Sequence, residues 1–209
     1  MNKYLVEFIG TFFLVFTVGN VVIDPGAGNL APLAIGGILV AIIFAGGHIS
    51  GAHYNPAVTV AMFLRGRCEA QDVGPYVGSQ IAAAAIASGV VQFLKGPEVA
   101  ITPMELVAVP ALVAELLATF ALVYVILNVA TAKGTEGNPF YGLAIGFTVM
   151  ACAYSVGGVS SGVFNPAVAI GLSIMGLASW TNFWIYLVGN LVGAIAAVFV
   201  FRLVTGEPE

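Results

Sequence analysis

The chain has 209 residues, of which 60% are hydrophobic and 8% are charged, whereas about 25% of the residues of an ordinary soluble domain are charged. This composition excludes a soluble globular protein, because even a large apolar core needs a charged exterior. The formal net charge of −4 comes from scattered residues, so it indicates neither a nucleic-acid partner nor a polybasic lipid-binding surface.

Most of the sequence consists of apolar runs long enough for a lipid bilayer, whose hydrocarbon core of about 30 Å takes about 20 helical residues. In chain order the full-length runs cover residues 4–23, 31–50, 73–94, 107–131, 140–157 and 181–204. Two shorter runs, 55–64 and 165–175, would reach only half-way across at about 1.5 Å per residue. The sequence therefore predicts an all-α membrane protein with six transmembrane helices and two re-entrant half-helices.

Basic residues divide unevenly between the two sides of this arrangement. Because the number of spans is even, both chain termini lie on one side, and that side also holds the basic residues Lys3, Arg65, Arg67, Lys133 and Arg202. The other side holds only Lys95. Basic loops stay in the cytoplasm. The distribution predicts a multi-pass protein of the cell membrane with both termini cytoplasmic.

An acidic motif occurs once in each half of the chain. Val6-Glu7-Phe8-Ile9-Gly10-Thr11-Phe12 and Ala114-Glu115-Leu116-Leu117-Ala118-Thr119-Phe120 share the pattern Glu-x-x-small-Thr-Phe. Glu7 precedes Asn55 by 48 residues, and Glu115 precedes Asn165 by 50. An internal duplication explains this recurrence. Since each half has three full spans, the second half enters the membrane from the opposite face, as an inverted-topology repeat.

The duplication lies within one predicted membrane domain, residues 1–209, with halves at about 1–100 and 101–209. Glycines separated by four positions predict close helix packing inside it, because they let two backbones approach. These pairs are Gly74 with Gly78, Gly142 with Gly146, and Gly189 with Gly193.

Two Asn-Pro-Ala tripeptides, Asn55-Pro56-Ala57 and Asn165-Pro166-Ala167, open the short apolar segments. Asn can cap a helix start, and Pro is tolerated at the first helical position. If both half-helices begin near the midplane, their positive dipole ends face each other and raise the energy of a cation between them. The asparagine amides can also orient a passing water and interrupt a proton wire. This pattern predicts a central pore constriction.

Other polar residues occur near these tripeptides. Glu7 and Glu115 lie inside predicted spans, where a carboxylate is costly unless it finds partners or reaches the interface. His48 and His53 flank the loop before the first tripeptide, and each is either a structural histidine or a group facing the pore. No nucleophile with a base and no metal-ligand cluster is visible, so no enzyme activity, cofactor or metal is predicted.

The segment from Gly47 to Thr59, Gly-His-Ile-Ser-Gly-Ala-His-Tyr-Asn-Pro-Ala-Val-Thr, resembles the first signature loop of aquaporins and glycerol facilitators. The resemblance covers the whole chain and includes Asn182-Phe183-Trp184-Ile185-Tyr186 at the start of the last span. It implies the aquaporin fold, assembled as a homotetramer with a pore in each subunit. It also implies that Glu7 and Glu115 accept hydrogen bonds that brace the pore loops, which His48 and His53 adjoin.

The chain departs from the family pattern where most relatives have an Arg after the second tripeptide, because Val168 stands there. Counting along the family pattern gives Ile35, Ala153 and Gly162 as the other positions of the outer selectivity filter. A water-selective filter of this family presents a bulky aromatic, a His and the Arg. Small and aliphatic residues at these positions predict a wider, apolar filter. The Asp typical of glycerol facilitators is replaced by Ala169.

The resulting hypothesis is a passive channel for water and small neutral solutes such as glycerol, urea, and metalloid hydroxides such as arsenite. Peroxide and ammonia fit the same description. A mainly water-selective aquaporin is the alternative, and a coupled secondary transporter or a structural membrane protein are further ones. A substitute for the missing Arg charge could come from the outer loop near Lys95, Glu98 and Glu105.

Overall fold

The computed structural model describes residues 1–206, and all regular structure in this range is helical. Its α-helices are α1 (Asn2–Val22), α2 (Ala31–Ser50), α3 (Pro56–Leu64), α4 (Ala70–Lys95), α5 (Ala108–Ala130), α6 (Tyr141–Ser160), α7 (Pro166–Ile174) and α8 (Phe183–Thr205). Within these residues, six helices are long and apolar enough to cross a membrane: α1, α2, α4, α5, α6 and α8. The predicted fold class is confirmed, and every predicted span end falls within three residues of the helix end.

The short helices α3 and α7 have nine residues each, about half the length that a full crossing needs. Each begins at a proline in its first position, directly after an asparagine in extended conformation. Proline suits this place because the first N–H of a helix has no partner to lose. The Asn-Pro pairs therefore fix where both half-helices start.

The two halves of the chain repeat one packing arrangement. In the first half α1 packs against α2 and α4, and in the second half α5 packs against α6 and α8. Contacts between α2 and α6 join the halves, while both half-helices pack against α4 and α8 and touch each other. This arrangement is the predicted inverted-topology repeat, with the half-helices at its centre.

Glycines make the closest helix crossings. A Cβ atom on Gly36 would lie 2.8 Å from the carbonyl oxygen of Gly146, and one on Gly146 would lie 2.7 Å from that of Gly36. The Gly142 and Gly189–Gly193 contacts also lie at helix packing surfaces. Within the described chain, Gly74 and Gly78 make no such packing contact. Both lie on the exposed side of α4, and no described atom comes within 4 Å of a Cβ built there.

The exterior is apolar and several polar groups are inside, the reverse of a soluble protein. Phe93, Val109 and Leu203 are exposed on the outer surface, whereas Glu7 and Glu115 are fully buried. This distribution is expected where lipid replaces water as the surrounding solvent.

One end of the bundle, called here the basic end, collects the start of α1 and the end of α8 with the loops after α3 and α5. The Arg67 guanidinium donates to the carbonyl oxygen of Thr131 at 3.3 Å, and Arg202 donates to that of Leu64. Lys3 pairs with Asp72 at 2.6 Å. Lys95 lies at the other end, called here the Lys95 end.

Candidate functional site

A cavity of about 1140 Å³ lies between the two halves and is lined by residues from both ends of the bundle. Helix α6 contributes Ile145, Val149, Ala153 and Gly157, which recur every fourth position and so share one face. The charged residues of the lining within 1–206 are Arg67, Lys133 and Glu136, and all belong to the basic end. The Lys95 end of the cavity is therefore uncharged along its described walls.

Of the two Asn-Pro-Ala tripeptides, the asparagines Asn55 and Asn165 line this cavity, whereas the prolines and alanines do not appear in its described lining. The Oδ1 atom of Asn55 accepts from the backbone N–H of Ala57 at 2.8 Å, and that of Asn165 accepts from Ala167 at 2.9 Å. Each Oδ1 therefore caps its own half-helix. The Nδ2 atom of each amide must then point away from that helix.

Each amide nitrogen donates to the opposite loop. Asn55 Nδ2 donates to the carbonyl oxygen of Phe164 at 2.8 Å, and Asn165 Nδ2 donates to that of Tyr54 at the same distance. A side-chain amide nitrogen carries two hydrogens. One hydrogen of each amide is thus used to hold the halves together, and the other is available to an oxygen atom in the channel.

The Glu7 carboxylate braces the loop before the first tripeptide. Its Oε1 accepts from Ser50 Oγ at 2.7 Å and from the backbone N–H of His53 at 2.9 Å. Its Oε2 accepts from the N–H of Tyr54 at 2.7 Å and from Gln80 Nε2 at 2.9 Å. These donors provide the compensation that a carboxylate buried in a membrane protein requires.

Glu115 makes the corresponding contacts in the second half. Its Oε1 accepts from Ser160 Oγ at 2.7 Å and from the N–H of Val163 at 2.9 Å. Its Oε2 accepts from the N–H of Phe164 and from Asn190 Nδ2, both at 2.8 Å. We call the two sets of contacts the first and second buttress. Neither glutamate lines the cavity in the described residues.

The side-chain donors of the buttresses are Ser50, Gln80, Ser160 and Asn190, and sequence reasoning missed them. A signal was present, because Ser50 and Ser160 stand at the same distance before the two tripeptides, and Gln80 and Asn190 at the same distance after them. Each pair differs by 110 positions, as do Asn55 and Asn165. Extending the repeat beyond the acidic motif would have identified them.

The buttresses hold backbone that would otherwise be unfavourable. Tyr54 and Phe164 both have a φ angle of 51°, and Ala52 and Ser161 have positive φ as well. A non-glycine residue in this region costs about 1–3 kcal/mol and persists where its surroundings fix it. The carboxylates fix it here, because they bind the N–H groups of Tyr54 and Phe164 directly.

The two predicted histidines lie in different surroundings. His53 is buried, its backbone N–H belongs to the first buttress, and its Nδ1 lies 3.2 Å from Thr59 Oγ1. His48 is exposed in the last turn of α2 and lines the cavity at the basic end. Of the two, His53 is the one joined to the pore loop.

The predicted outer filter residues line the cavity together: Ile35, Ala153, Gly162 and Val168. Gly162 has a φ of 64°, and a Cβ atom on it would lie 3.4 Å from the Cα atoms of Ala153 and Gly157. The sequence did not indicate Gly157, Thr102 or Met104, which line the same cavity. Thr102 and Met104 come from the loop between α4 and α5, whose path hydropathy does not predict.

The sequence model of the major intrinsic protein family matches residues 1–201. The chain belongs to the major intrinsic protein family. Aquaporin NIP1-1 of Zea mays is 35% identical over 223 residues, which cover 100% of this chain and 77% of that protein. Glycerol uptake facilitator protein-like 6 of Lactiplantibacillus plantarum is 37% identical, with 99% of this chain and 100% of that protein covered.

Among solved structures, the aquaglyceroporin of Plasmodium falciparum has the same fold, with a TM-score of 0.81 and 22% sequence identity. The match covers 98% of this chain and 96% of that one. Major intrinsic proteins are channels, and this member is a multi-pass membrane channel for water and small solutes rather than an enzyme.

In this major intrinsic protein, Lys95 does not replace the Arg that Val168 displaces. Its ammonium group donates to the carbonyl oxygens of Asn20 at 2.8 Å, Ile23 at 2.6 Å and Pro25 at 2.7 Å. Over residues 1–206, the cavity lining includes neither Lys95 nor the glutamates of its loop, Glu98 and Glu105. The ammonium group of Lys95 is therefore bound by the end of α1 and the turn that follows it.

Proposed function

We propose that this channel passes glycerol, urea and metalloid hydroxides such as arsenite in addition to water, through a wide apolar outer filter. The observation that carries this proposal is the uncharged lining of the Lys95 end, where Ile35, Ala153, Gly162 and Val168 line one cavity. None of these four side chains is larger than isoleucine, and Gly162 presents no side chain at all.

An apolar filter discriminates by size and by charge. A neutral solute enters it at a lower free-energy cost than an ion, because it has no charge to desolvate. An ion loses hydration without compensation, which is costly. The relative named glycerol uptake facilitator protein-like 6 is similar over its whole length, and this supports polyol passage.

For the centre of the channel, we propose a constriction formed by Asn55, Pro56, Ala57, Asn165, Pro166 and Ala167 that excludes ions. Glu7 and Glu115 support the pore loops from outside the lining, and His53 supports the first loop through its N–H. For His48, pore-loop support stays a prediction, since its exposed position at the basic end favours contact with the passing solute.

We also propose a homotetramer in the cell membrane, with the basic end and both termini in the cytoplasm. The concentration of arginine and lysine at that end supports this orientation. Each subunit is proposed to be one channel domain, residues 1–209, composed of the halves 1–100 and 101–209. Native mass spectrometry from detergent measures the stoichiometry, and a mass other than four chains would contradict the tetramer.

The substrate proposal is tested by stopped-flow light scattering on proteoliposomes that contain the full chain. Permeabilities to water, glycerol, urea and arsenite are compared for the native chain, Val168→Arg and the matched uncharged variant Val168→Leu. We expect Val168→Arg to lose glycerol, urea and arsenite before water, because the long cationic side chain narrows the filter. Val168→Leu should retain the order of the native chain.

Three outcomes would contradict the proposal. Unchanged solute permeability in Val168→Arg would mean that Val168 is not at the filter. A native chain that passes water alone would favour the water-selective alternative. Solute flux that follows a proton gradient would instead indicate coupled transport.

A further inference from the structure

The loop of residues 96–107, between α4 and α5, packs onto the Lys95 end of the bundle. Val99, Ile101 and Leu106 are partly buried and pack against the hydrophobic core. Ile101 Cγ2 would lie 3.7 Å from a Cβ atom on Gly176, so the loop rests just beyond the end of α7. These apolar contacts fix the loop over the cavity.

Met104, together with Thr102, is the part of this loop that lines the cavity. It is half-buried between the exposed residues Pro103 and Glu105, and it lines the cavity. Its Sδ atom accepts a hydrogen bond from Ser161 Oγ at 3.4 Å. Ser161 immediately precedes Gly162 and has a φ of 71°. The thioether is thus attached to the strained turn that carries one of the filter positions.

We propose that Met104 is a fifth wall of the outer filter and sets the upper size limit for solutes, an inference that rests on the proposed function. The four predicted filter residues do not fill the cavity. Gly157 lines the same cavity, and no described atom lies within 4 Å of a Cβ atom built on it. Met104 is the long side chain that reaches this region from the loop.

The flexibility and the weak hydrogen bonding of the methionine side chain determine how this wall acts on a solute. Its side chain is unbranched and rotates about three bonds, so it can yield to a solute rather than block it. Its sulfur is a weak hydrogen-bond acceptor without charge. Met104 therefore makes permeability decrease gradually as solute size increases, and it does not select solutes by their hydrogen-bonding groups. The bond from Ser161 holds the side chain in place between passages.

The experiment measures permeability to a size series of water, urea, glycerol and xylitol in proteoliposomes of the full chain. Met104→Ala should raise xylitol permeability relative to water by about tenfold, which corresponds to about 1.4 kcal/mol in the barrier. Met104→Leu, of similar volume, should stay near the native profile. Met104→Trp should lose glycerol before water. Ser161→Ala should shift the profile in the direction of Met104→Ala, because the thioether is no longer held.

Glu105→Ala is the matched control, since Glu105 is exposed in the same loop and does not line the cavity in the described residues. An unchanged size profile in both Met104→Ala and Met104→Trp would overturn the inference, as would an equal change in Glu105→Ala. Val168→Arg is measured in parallel to separate the two proposals. If Val168→Arg excludes large solutes and the Met104 variants do nothing, only this inference fails. If Val168→Arg has no effect, the proposed function fails.

Discussion

Asn55 and Asn165 hold each other's loops: Asn55 Nδ2 donates to the carbonyl oxygen of Phe164, and Asn165 Nδ2 donates to that of Tyr54, both at 2.8 Å. The accepting residue in each case directly precedes the other asparagine. The orientation of each amide therefore depends on the opposite half of the chain. A substitution at one asparagine therefore alters hydrogen bonds at the starts of both half-helices.

The double variant Asn55→Asp/Asn165→Asp should leak cations. Aspartate keeps the N-cap acceptor but has no N–H to donate, and it adds negative charge where the helix dipoles oppose a cation. We expect sodium and proton leakage to rise by about tenfold, equivalent to about 1.4 kcal/mol in the barrier. Leakage is followed with a pH-sensitive dye and by bilayer conductance. Asn20→Asp, outside the described cavity lining, is the control, and tight ion exclusion in the double variant would refute the central barrier.

Glu7→Gln should destabilise the protein although it changes few atoms. An NH₂ group replaces one carboxylate oxygen, so it faces either Ser50 Oγ and the His53 N–H or the Tyr54 N–H and Gln80 Nε2. Each buried donor left without an acceptor costs about 1–3 kcal/mol. Thermal unfolding in detergent measures the loss. Glu98→Gln, exposed in the loop after α4, should stay within about 0.5 kcal/mol of the native chain. Equal melting temperatures for both variants would contradict the buttress.

Gly46→Ala and Gly37→Ala, both in α2, should have opposite effects. A Cβ atom on Gly46 would lie 2.0 Å from Tyr54 Oη and 2.6 Å from Val6 Cγ1, so the Tyr54 ring must move. Such overpacking costs about 1–3 kcal/mol, whereas alanine in open helix surface gains about 0.5–1 kcal/mol over glycine.

The Gly37 position has no described atom within 4 Å. Detergent melting curves of the two variants provide the comparison. Water permeability should also fall in Gly46→Ala, because the Tyr54 carbonyl oxygen accepts from Asn165. A Gly46→Ala protein as stable as Gly37→Ala would show that Tyr54 is not tightly packed.

Two variants at adjacent positions of α6, Gly157→Val and Gly158→Val, test the width of the channel. Gly157 lines the cavity, whereas Gly158 is exposed on the outside of α6. We expect Gly157→Val to reduce glycerol permeability several-fold relative to water, because the isopropyl group enters the channel beside Ala153. Gly158→Val should leave the ratio unchanged. Stopped-flow light scattering measures both solutes, and the same ratio in all three proteins would mean that solutes do not pass along this face.

The sequence predicts the helices well because a bilayer imposes length and polarity on each span. Hydropathy alone places the ends of α2 at residues 31 and 50, as the structure has them. The half-helices also follow from sequence, since Asn-Pro signals a helix start and the apolar run after it is short. The acids Glu7 and Glu115 were found through the repeat.

The partners of those acids depend on how distant segments meet. Gln80 lies 73 positions from Glu7, so only its counterpart Asn190 in the repeat could have marked it as a donor. The place of Met104 in the cavity lining follows from the path of an irregular loop, which neither hydropathy nor helical period describes. Gly74 and Gly78 had the small-residue spacing of a packed helix face but are exposed, because that spacing does not say whether a neighbour belongs to the same chain.

The side chains that form the buttresses are all absent from the described cavity lining: Glu7, Ser50, Gln80, Glu115, Ser160 and Asn190. Substitutions at Ile35, Ala153 or Val168 therefore leave every buttress bond in place. Because the filter positions and the buttresses are separate, substitutions can change which solutes the channel admits without changing its fold. Natural selection can then adapt this scaffold to new solutes by single, independent steps, without a compensating change elsewhere in the chain.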